Sequence, residues 1–288
     1  MSKLMMNMVA QTSIHAGAGQ AMSVIDLPIQ REGHTMHPVI FGSSMKGALR
    51  FHAKKTTEND KILAVFGADS NADDTHAGAV MISDAKLLLL PVRSLNGYFK
   101  WVTCPALLRR YLKDCQRVGV KDVFELPDLS ALKLDNVCVI DNKYGTVFLE
   151  EFALTTITAG LDKVSETLAK DFNLDKSALD SQLCVVSDDL FSYLAQNSTP
   201  VNAHIALDDN KTVKVGALWY EETLPPETVM YSVIQCTSSR KKGLDLNADE
   251  VAFILQSMFG NEPFLQVGGN ETVGMGWFEV KFVQGVNS

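Results

Sequence analysis

Leu4, Met6 and Met8 alternate with smaller or polar residues, the period-two pattern of a strand, and the pattern stops where His15-Ala16-Gly17-Ala18-Gly19-Gln20 begins a glycine-rich loop. After an irregular stretch to Pro38, the apolar run Val39-Ile40-Phe41 ends at Gly42-Ser43-Ser44. Met45, Ala48, Leu49 and His52 then recur at helical spacing, with Ser43 or Ser44 as the expected N-cap. Residues 67–78 are polar and rich in aspartate (Asp69, Asp73, Asp74) and read as an exposed loop. Ala79 to Val92, which contains Leu87 to Leu90, reads as one long buried strand. Pro105 opens an amphipathic helix carrying Leu107, Leu108, Tyr111, Leu112 and Cys115.

Residues 137–154 read as two strands about the turn Asp141-Asn142-Lys143-Tyr144-Gly145. Residues 160–197 read as mostly helical, with Leu161, Val164 and Leu168 on one face. Val201 to Leu207, the turn Asp208-Asp209-Asn210-Lys211, and Thr212 to Glu222 make a hairpin, which Pro225-Pro226 terminates. Asn247 with Glu250 three residues on forms a capping box before a helix from Val251 to Phe259, closed by Gly260. Gly268-Gly269-Asn270 and Gly274-Met275-Gly276 lie between two strand-like runs. Strands and helices mixed in this order predict an α+β fold, with no internal repeat.

The chain has 288 residues, 46% of them hydrophobic and 21% charged, enough to bury a full core as one large domain with insertions or as two ordinary ones. Its N-terminus is too short and too interrupted for a membrane span and has no small-residue cleavage site. Five cysteines (Cys104, Cys115, Cys138, Cys184, Cys236) stand far apart with no C-x-x-C, so neither a disulfide framework nor a zinc knuckle is indicated, and the cytoplasm is the expected compartment. The net charge of −8 taken alone argues against a nucleic-acid partner. Its distribution reverses that inference. Residues 1–55 hold six basic side chains against Asp26 and Glu32 alone, so a basic N-terminal patch sits on an acidic body.

Ser43-Ser44-Met45-Lys46 matches the S-x-x-K of acylating serine enzymes, but the S-D-N and K-T-G elements those enzymes also use are absent, so a helix cap is preferred. More generally, Gly42-Ser43-Ser44 at a helix start, with Lys46 and Arg50 one turn apart, offers N–H groups, hydroxyls and two cations to an anion, against the plain alternative of a capped helix with a solvated basic face. The Walker spacing is missing. The two glycine-rich segments could each let a backbone approach phosphates, although a glycine turn between strands explains each singly. Asp26 is a loop aspartate that could join His34 and His37 on a metal, but no further ligand at fixed spacing supports that.

Taken together, residues 15–19, Ile25-Asp26-Leu27-Pro28-Ile29-Gln30-Arg31-Glu32 and Pro38-Val39-Ile40-Phe41-Gly42-Ser43-Ser44-Met45-Lys46-Gly47-Ala48-Leu49-Arg50 form an ordered series that resembles the backbone subunits of Cmr (type III-B) CRISPR effector complexes, in the RAMP superfamily. The similarity continues through Phe66-Gly67, Ser83-Asp84-Ala85, Pro91-Val92-Arg93-Ser94, Trp101-Val102-Thr103-Cys104-Pro105, Ala217-Leu218-Trp219-Tyr220-Glu221-Glu222 and the terminal glycine loop. Met36 and Phe41 depart from it, standing where a small residue or proline is expected.

The resemblance implies a single RAMP domain over 1–288. Its core would be ferredoxin-like and RRM-related, with an insertion at about 95–200 and a β-hairpin thumb at about 201–222. It implies stacking with further copies in a helical filament on guide (CRISPR) RNA, beside other Cmr subunits and complementary target RNA, with no membrane. It also implies metal-dependent endonucleolytic cleavage of the target RNA, the metal being Mg or Mn. Asp26 would be the catalytic and metal-binding residue, with His15, Asp84, Glu221 and Glu222 as secondary candidates. Gly17, Gly19, Arg31, Ser43, Ser44, Lys46, Arg50, Lys54, Gly268, Gly269, Gly274 and Gly276 would bind RNA. A non-cleaving scaffold that spaces guide and target is the main alternative, and a glycine-loop nucleotide-metabolising enzyme lacks a supporting motif.

Overall fold

In a computed structural model, residues 1–68, 75–260 and 262–285 are described, so Asp69, Asp73 and Asp74 of the expected aspartate-rich loop lie outside them. The elements run β1 (Ser2–Ala10), β2 (Val39–Ile40), α1 (Gly42–Thr56), α2 (Asn59–Phe66), β3 (Val80–Ile82), β4 (Ala85–Arg93), β5 (Phe99–Thr103), α3 (Pro105–Val118), β6 (Asn136–Val139), β7 (Thr146–Leu149) and β8 (Phe152–Ile157). They continue as α4 (Asp162–Phe172), α5 (Lys176–Gln182), β9 (Leu183–Val185), α6 (Asp188–Asn197), β10 (Val201–Leu207), β11 (Val213–Glu222), β12 (Val229–Cys236), α7 (Ala248–Ser257), β13 (Phe264–Gln266) and β14 (Trp277–Gln284). The fold is α+β.

One sheet runs in the order β13-β14-β1-β12-β4-β5-β9-β6-β8-β7, with β2 added beside β4 and β3 beside β12. β1 lies between β14 and β12, antiparallel to both. Its even residues Leu4, Met6 and Met8 pack into one apolar cluster with Met45 and Leu49 of α1 and Val251 and Leu255 of α7. Its odd residues Met5 and Val9 pack into a second cluster with Leu108 and Tyr111 of α3 and Val164 and Leu168 of α4. β1 is therefore covered on both faces. Asn7, polar and 1% exposed, is accommodated because its amide Nδ2 donates to Asp171 O at 3.0 Å.

Several boundaries differ from expectation for local reasons. The strand foreseen over 79–92 is two strands, because Ser83 and Asp84 turn out of the ladder, where Ser83 Oγ accepts the Val233 N–H (2.9 Å). Neither serine caps α1. The N-cap is Phe41, whose side chain makes no capping bond, and Asp84 caps the helix from outside by accepting the Gly42 N–H at 2.7 Å. Residues 136–149 do not form a hairpin about 141–145, since β6 pairs in parallel with β8 and β7 pairs with β8. The stretch 160–197 contains the buried strand β9, whose three residues are too few to interrupt a helical pattern read over a longer window. The expected capping box is present, with Asn247 accepting from the Asp249 and Glu250 N–H groups and Glu250 returning to the Asn247 N–H at 2.7 Å.

The hairpin β10–β11 forms a separate two-stranded sheet, and Ile205, Leu207, Val213, Val215 and Leu218 along it are exposed. All five cysteines are free and buried; burial pushes the Cys104, Cys115, Cys184 and Cys236 thiols up to about 12. Among the described residues, no helix is long and apolar enough to cross a membrane.

Candidate functional site

Residues 20–31 run as an irregular strap between the loop after β1 and the base of the hairpin. On one side the Ala18 N–H donates to Pro28 O (2.9 Å) and the Gln30 N–H to Ala16 O (2.8 Å). On the other the Leu27 N–H donates to Tyr220 O (3.0 Å) and the Glu222 N–H to Leu27 O (3.0 Å). Asp26 stands on this strap, partly buried, and its Oδ2 accepts the Tyr220 N–H at 2.8 Å. The carboxylate is therefore oriented by the base of β11, and its other oxygen takes no hydrogen bond from the described residues.

The other acidic candidates are committed to the fold. Glu222, 3% exposed, takes Arg31 Nη2 (2.5 Å) and Thr199 Oγ1 (2.6 Å) on Oε1 and the Ile29 N–H (3.1 Å) on Oε2. Arg31 also donates through Nη1 to Met36 O (2.7 Å) and Ala195 O (2.8 Å), so its guanidinium faces intramolecular acceptors rather than a ligand. Glu221 accepts Asn270 Nδ2 at 2.6 Å, and His15 Nδ1 donates to Glu222 O at 2.8 Å, which leaves the ring 3.9 Å from the Glu221 carboxylate. Asp84 is the outside cap of α1. The tight turn that returns the strap toward α1 places Met36 at φ +59°, a left-handed conformation that accounts for a small residue being expected there. Glu32 anchors this turn: burial opposes its ionisation, but Thr35 and the Arg110 guanidinium hold its carboxyl below the ordinary range.

The basic candidates form a different surface. Ser43 and Ser44 lie in the first turn of α1, where their N–H groups have no intrahelical acceptor. Lys46 and Arg50 follow one turn apart, and Lys54, exposed, is one turn beyond. Lys46 forms no ion pair among the described residues; burial and the nearby Arg50 guanidinium both push its ammonium down. Two cations close enough to repel each other suit a polyanion. Gln30, whose role the sequence pattern did not signal, joins this surface to the strap: its Nε2 donates to Gly17 O (3.0 Å) and Ser44 Oγ (3.3 Å), and its Oε1 accepts the Phe41 N–H (2.7 Å).

The loop 268–276 closes the site from the C-terminal side. Gly268 sits at φ +91°, and a Cβ there would lie 2.3 Å from His15 O, so only glycine lets this loop press on the loop after β1. A Cβ at Gly17 would meet His15 Nε2 at 2.7 Å, so a larger residue there would have to displace the imidazole. Gly269 donates its N–H to His15 O (2.9 Å), Gly276 packs against Val267 O, and Gly19 and Gly274 occupy open left-handed turns. Lys55 at the end of α1 reaches Glu271 in this loop (3.8 Å).

The strap that carries Asp26 thus joins the loop after β1, the start of α1 and the base of the hairpin, and the 268–276 loop packs on the loop after β1. Among the described residues there is no group of three or more His, Cys, Asp or Glu side chains that could hold a metal, and His34, His37 and Asp26 do not make one. His37 is instead packed edge-on to Phe191. The described residues build no metal cage by themselves; Asp26 offers one carboxylate.

A family model described as the RAMP superfamily matches residues 7–279. The chain belongs to the RAMP superfamily. Within it, the chain is 35% identical over its whole length to the CRISPR system Cmr endoribonuclease Cmr4 of Pyrococcus furiosus, covering 98% of that protein. It is 24% identical to the CRISPR system CMR subunit Cmr4 of Saccharolobus solfataricus, over 95% of this chain and 94% of that one. Among solved structures, oligomeric Cmr4 from Pyrococcus furiosus matches with a TM-score of 0.76 and 30% identity over the full length of both chains. A chain of the type III-B Cmr-beta complex bound to cognate target RNA shares the RAMP fold at a TM-score of 0.72 and 24% identity, with 97% of this chain and 96% of that one covered.

Proposed function

We propose that this RAMP protein is the guide-binding backbone subunit of a type III-B CRISPR ribonucleoprotein and cleaves the complementary target RNA. The observation that carries this is the placement of Asp26, a carboxylate fixed by the Tyr220 N–H at the foot of an exposed apolar ribbon, on a strap whose Gln30 reaches the cation-bearing helix start. The order β14-β1-β12-β4, with α1 between β1 and β4 along the chain and α7 between β12 and β14, supports reading the core as ferredoxin-like. The single-domain reading takes about 95–200 as an insertion and about 201–222 as the thumb.

RNA carries its own nucleophile. The 2′-oxygen attacks the adjacent phosphorus, the P–O5′ bond breaks, the 2′-hydroxyl proton passes to a base and the leaving 5′-oxygen takes up a proton from water. Asp26 orients the 2′-hydroxyl and receives its proton; the strap's bonds to β11 hold that carboxylate in register with the ribbon. A divalent ion, Mg or Mn, would be held on the protein side by Asp26 and would supply charge neutralisation at the phosphate. Ser43, Ser44, Lys46, Arg50 and the 268–276 loop hold guide phosphates, further copies extend the surface along the guide, and other Cmr subunits cap it.

The test is incubation of the assembled complex with labelled complementary RNA, with and without chelator. Regularly spaced products support cleavage, their loss in chelator supports the metal, and tight binding with intact RNA leaves only a scaffold. Replacing Lys46 and Arg50 together by alanine weakens guide binding regardless of sequence and flattens the log–log salt dependence by roughly one unit for each phosphate no longer neutralised. An unchanged slope in a filter-binding titration returns α1 to a solvated basic helix. Deleting residues 207–213 with a short glycine bridge leaves the subunit folded, because the ribbon is outside the main sheet, but shifts or abolishes the spacing of cleavage products. Circular dichroism showing an unfolded chain counts against a thumb and places the ribbon in the core.

A further inference from the structure

A second polar site lies in the inserted half of the chain, where the β4–β5 turn, β5, the turn after β6 and the end of α5 enclose a cavity of about 190 Å³. Lys100 of β5 lines it and is only 6% exposed. One of its N–H groups donates to Ser181 O (2.7 Å), and no carboxylate among the described residues pairs with the ammonium. A buried cation without a counter-ion is costly, so its remaining donors call for an anion. Asn96 points its Oδ1 at the Phe148 N–H (2.9 Å), which leaves its NH2 as a donor at the cavity wall, and Lys143 adds a second ammonium at the rim. Two of the lining residues carry acceptors: Asp141, and Gln182, whose Oε1 is buried with no donor.

We infer that this cavity binds a phosphoryl group in a protonated form. The volume is below the roughly 300 Å³ at which sites for drug-sized ligands begin, yet several times the roughly 30 Å³ share of one water, which suits a tetrahedral oxyanion. The oxygens of the anion accept from Lys100, Lys143 and Asn96. Its P–OH donates to Gln182 Oε1 or to Asp141. Sulfate and simple carboxylates have no such proton near neutral pH and leave those acceptors unpaired, so the lining selects phosphate over sulfate. This site is separate from Asp26 and α1 and does not depend on the proposed cleavage.

Calorimetric titration of the full chain tests it, in a Lys46→Ala, Arg50→Ala background so that the basic helix start does not contribute. Inorganic phosphate binds at least tenfold more tightly than sulfate at equal ionic strength, and Lys143→Ala weakens it severalfold. Gln182→Glu gives Lys100 a carboxylate from within, so phosphate binding falls at least tenfold while the unliganded melting temperature does not drop. Displacement of phosphate by uridine monophosphate assigns the site to a nucleotide's phosphoryl group, and failure to displace it assigns the free ion. Absence of phosphate binding, equal binding of sulfate, or unchanged binding in both Lys143→Ala and Gln182→Glu overturns the inference.

Discussion

Asp26→Asn reduces target RNA cleavage by at least about 100-fold, the lower range for loss of a general acid–base group, while guide binding and assembly stay as in the parent. The structure makes this substitution unusually selective. Asn retains a side-chain oxygen that accepts the Tyr220 N–H, so the strap stays docked on β11 and only the charge is removed. Asp26→Ala removes the acceptor too, and its additional effect is a loosened strap, read as faster proteolysis within residues 20–31. Cleavage is followed with end-labelled target at saturating complex, and assembly by size-exclusion chromatography. Parent-like cleavage by Asp26→Asn removes Asp26 from the chemistry and moves the reaction to another group.

Glu222→Ala carries the largest expected cost in stability, about 3–5 kcal/mol, the range for removing one partner of a buried ion pair. The carboxylate is 3% exposed and serves three donors at once: Arg31, Thr199 and the Ile29 N–H. Truncation strands the Arg31 guanidinium, itself nearly buried, among the backbone carbonyls of Met36 and Ala195. At roughly 2–4 °C per kcal/mol for a chain of this size, the melting temperature falls by about 10 °C. Glu222→Gln, which keeps the shape and one acceptor, costs less. Urea denaturation followed by tryptophan fluorescence gives both values, and a change below about 1 kcal/mol for alanine means that the pair does not hold the strap to the hairpin base.

Much of the local architecture was legible. The alternation of Leu4, Met6 and Met8 marked β1, Asn247 and Glu250 marked the start of α7, and the Asp208–Lys211 turn between two β-rich runs marked the hairpin. These signals are local, carried by residues within one element or one turn. What was not legible depended on partners distant in the chain. Ser43 and Ser44 have good capping chemistry, but Asp84 reaches Gly42 first, so the cap is supplied 42 residues away. The run 79–92 is apolar enough for one strand, but Ser83 is drawn out of it by Val233.

The candidate site divides in the same way. The sequence by itself determined which residues could do chemistry, because the order of the glycine loop, the aspartate and the helix start is written in contiguous segments. It also set the charge asymmetry that makes residues 1–55 basic on an acidic body. The ranking of Asp26 above Asp84, Glu221 and Glu222 came from the resemblance, since the residue pattern alone does not show which donors surround each carboxylate. Only the tertiary structure decided those surroundings, by burying Glu221 and Glu222 against Asn270 and Arg31, setting Asp84 on a helix end, and leaving Asp26 with one oxygen oriented and one unengaged among the described residues. Desolvation makes a buried carboxylate take donors from the fold, whereas a partly exposed one keeps capacity for a substrate, and burial is a property of the whole fold rather than of any stretch of chain.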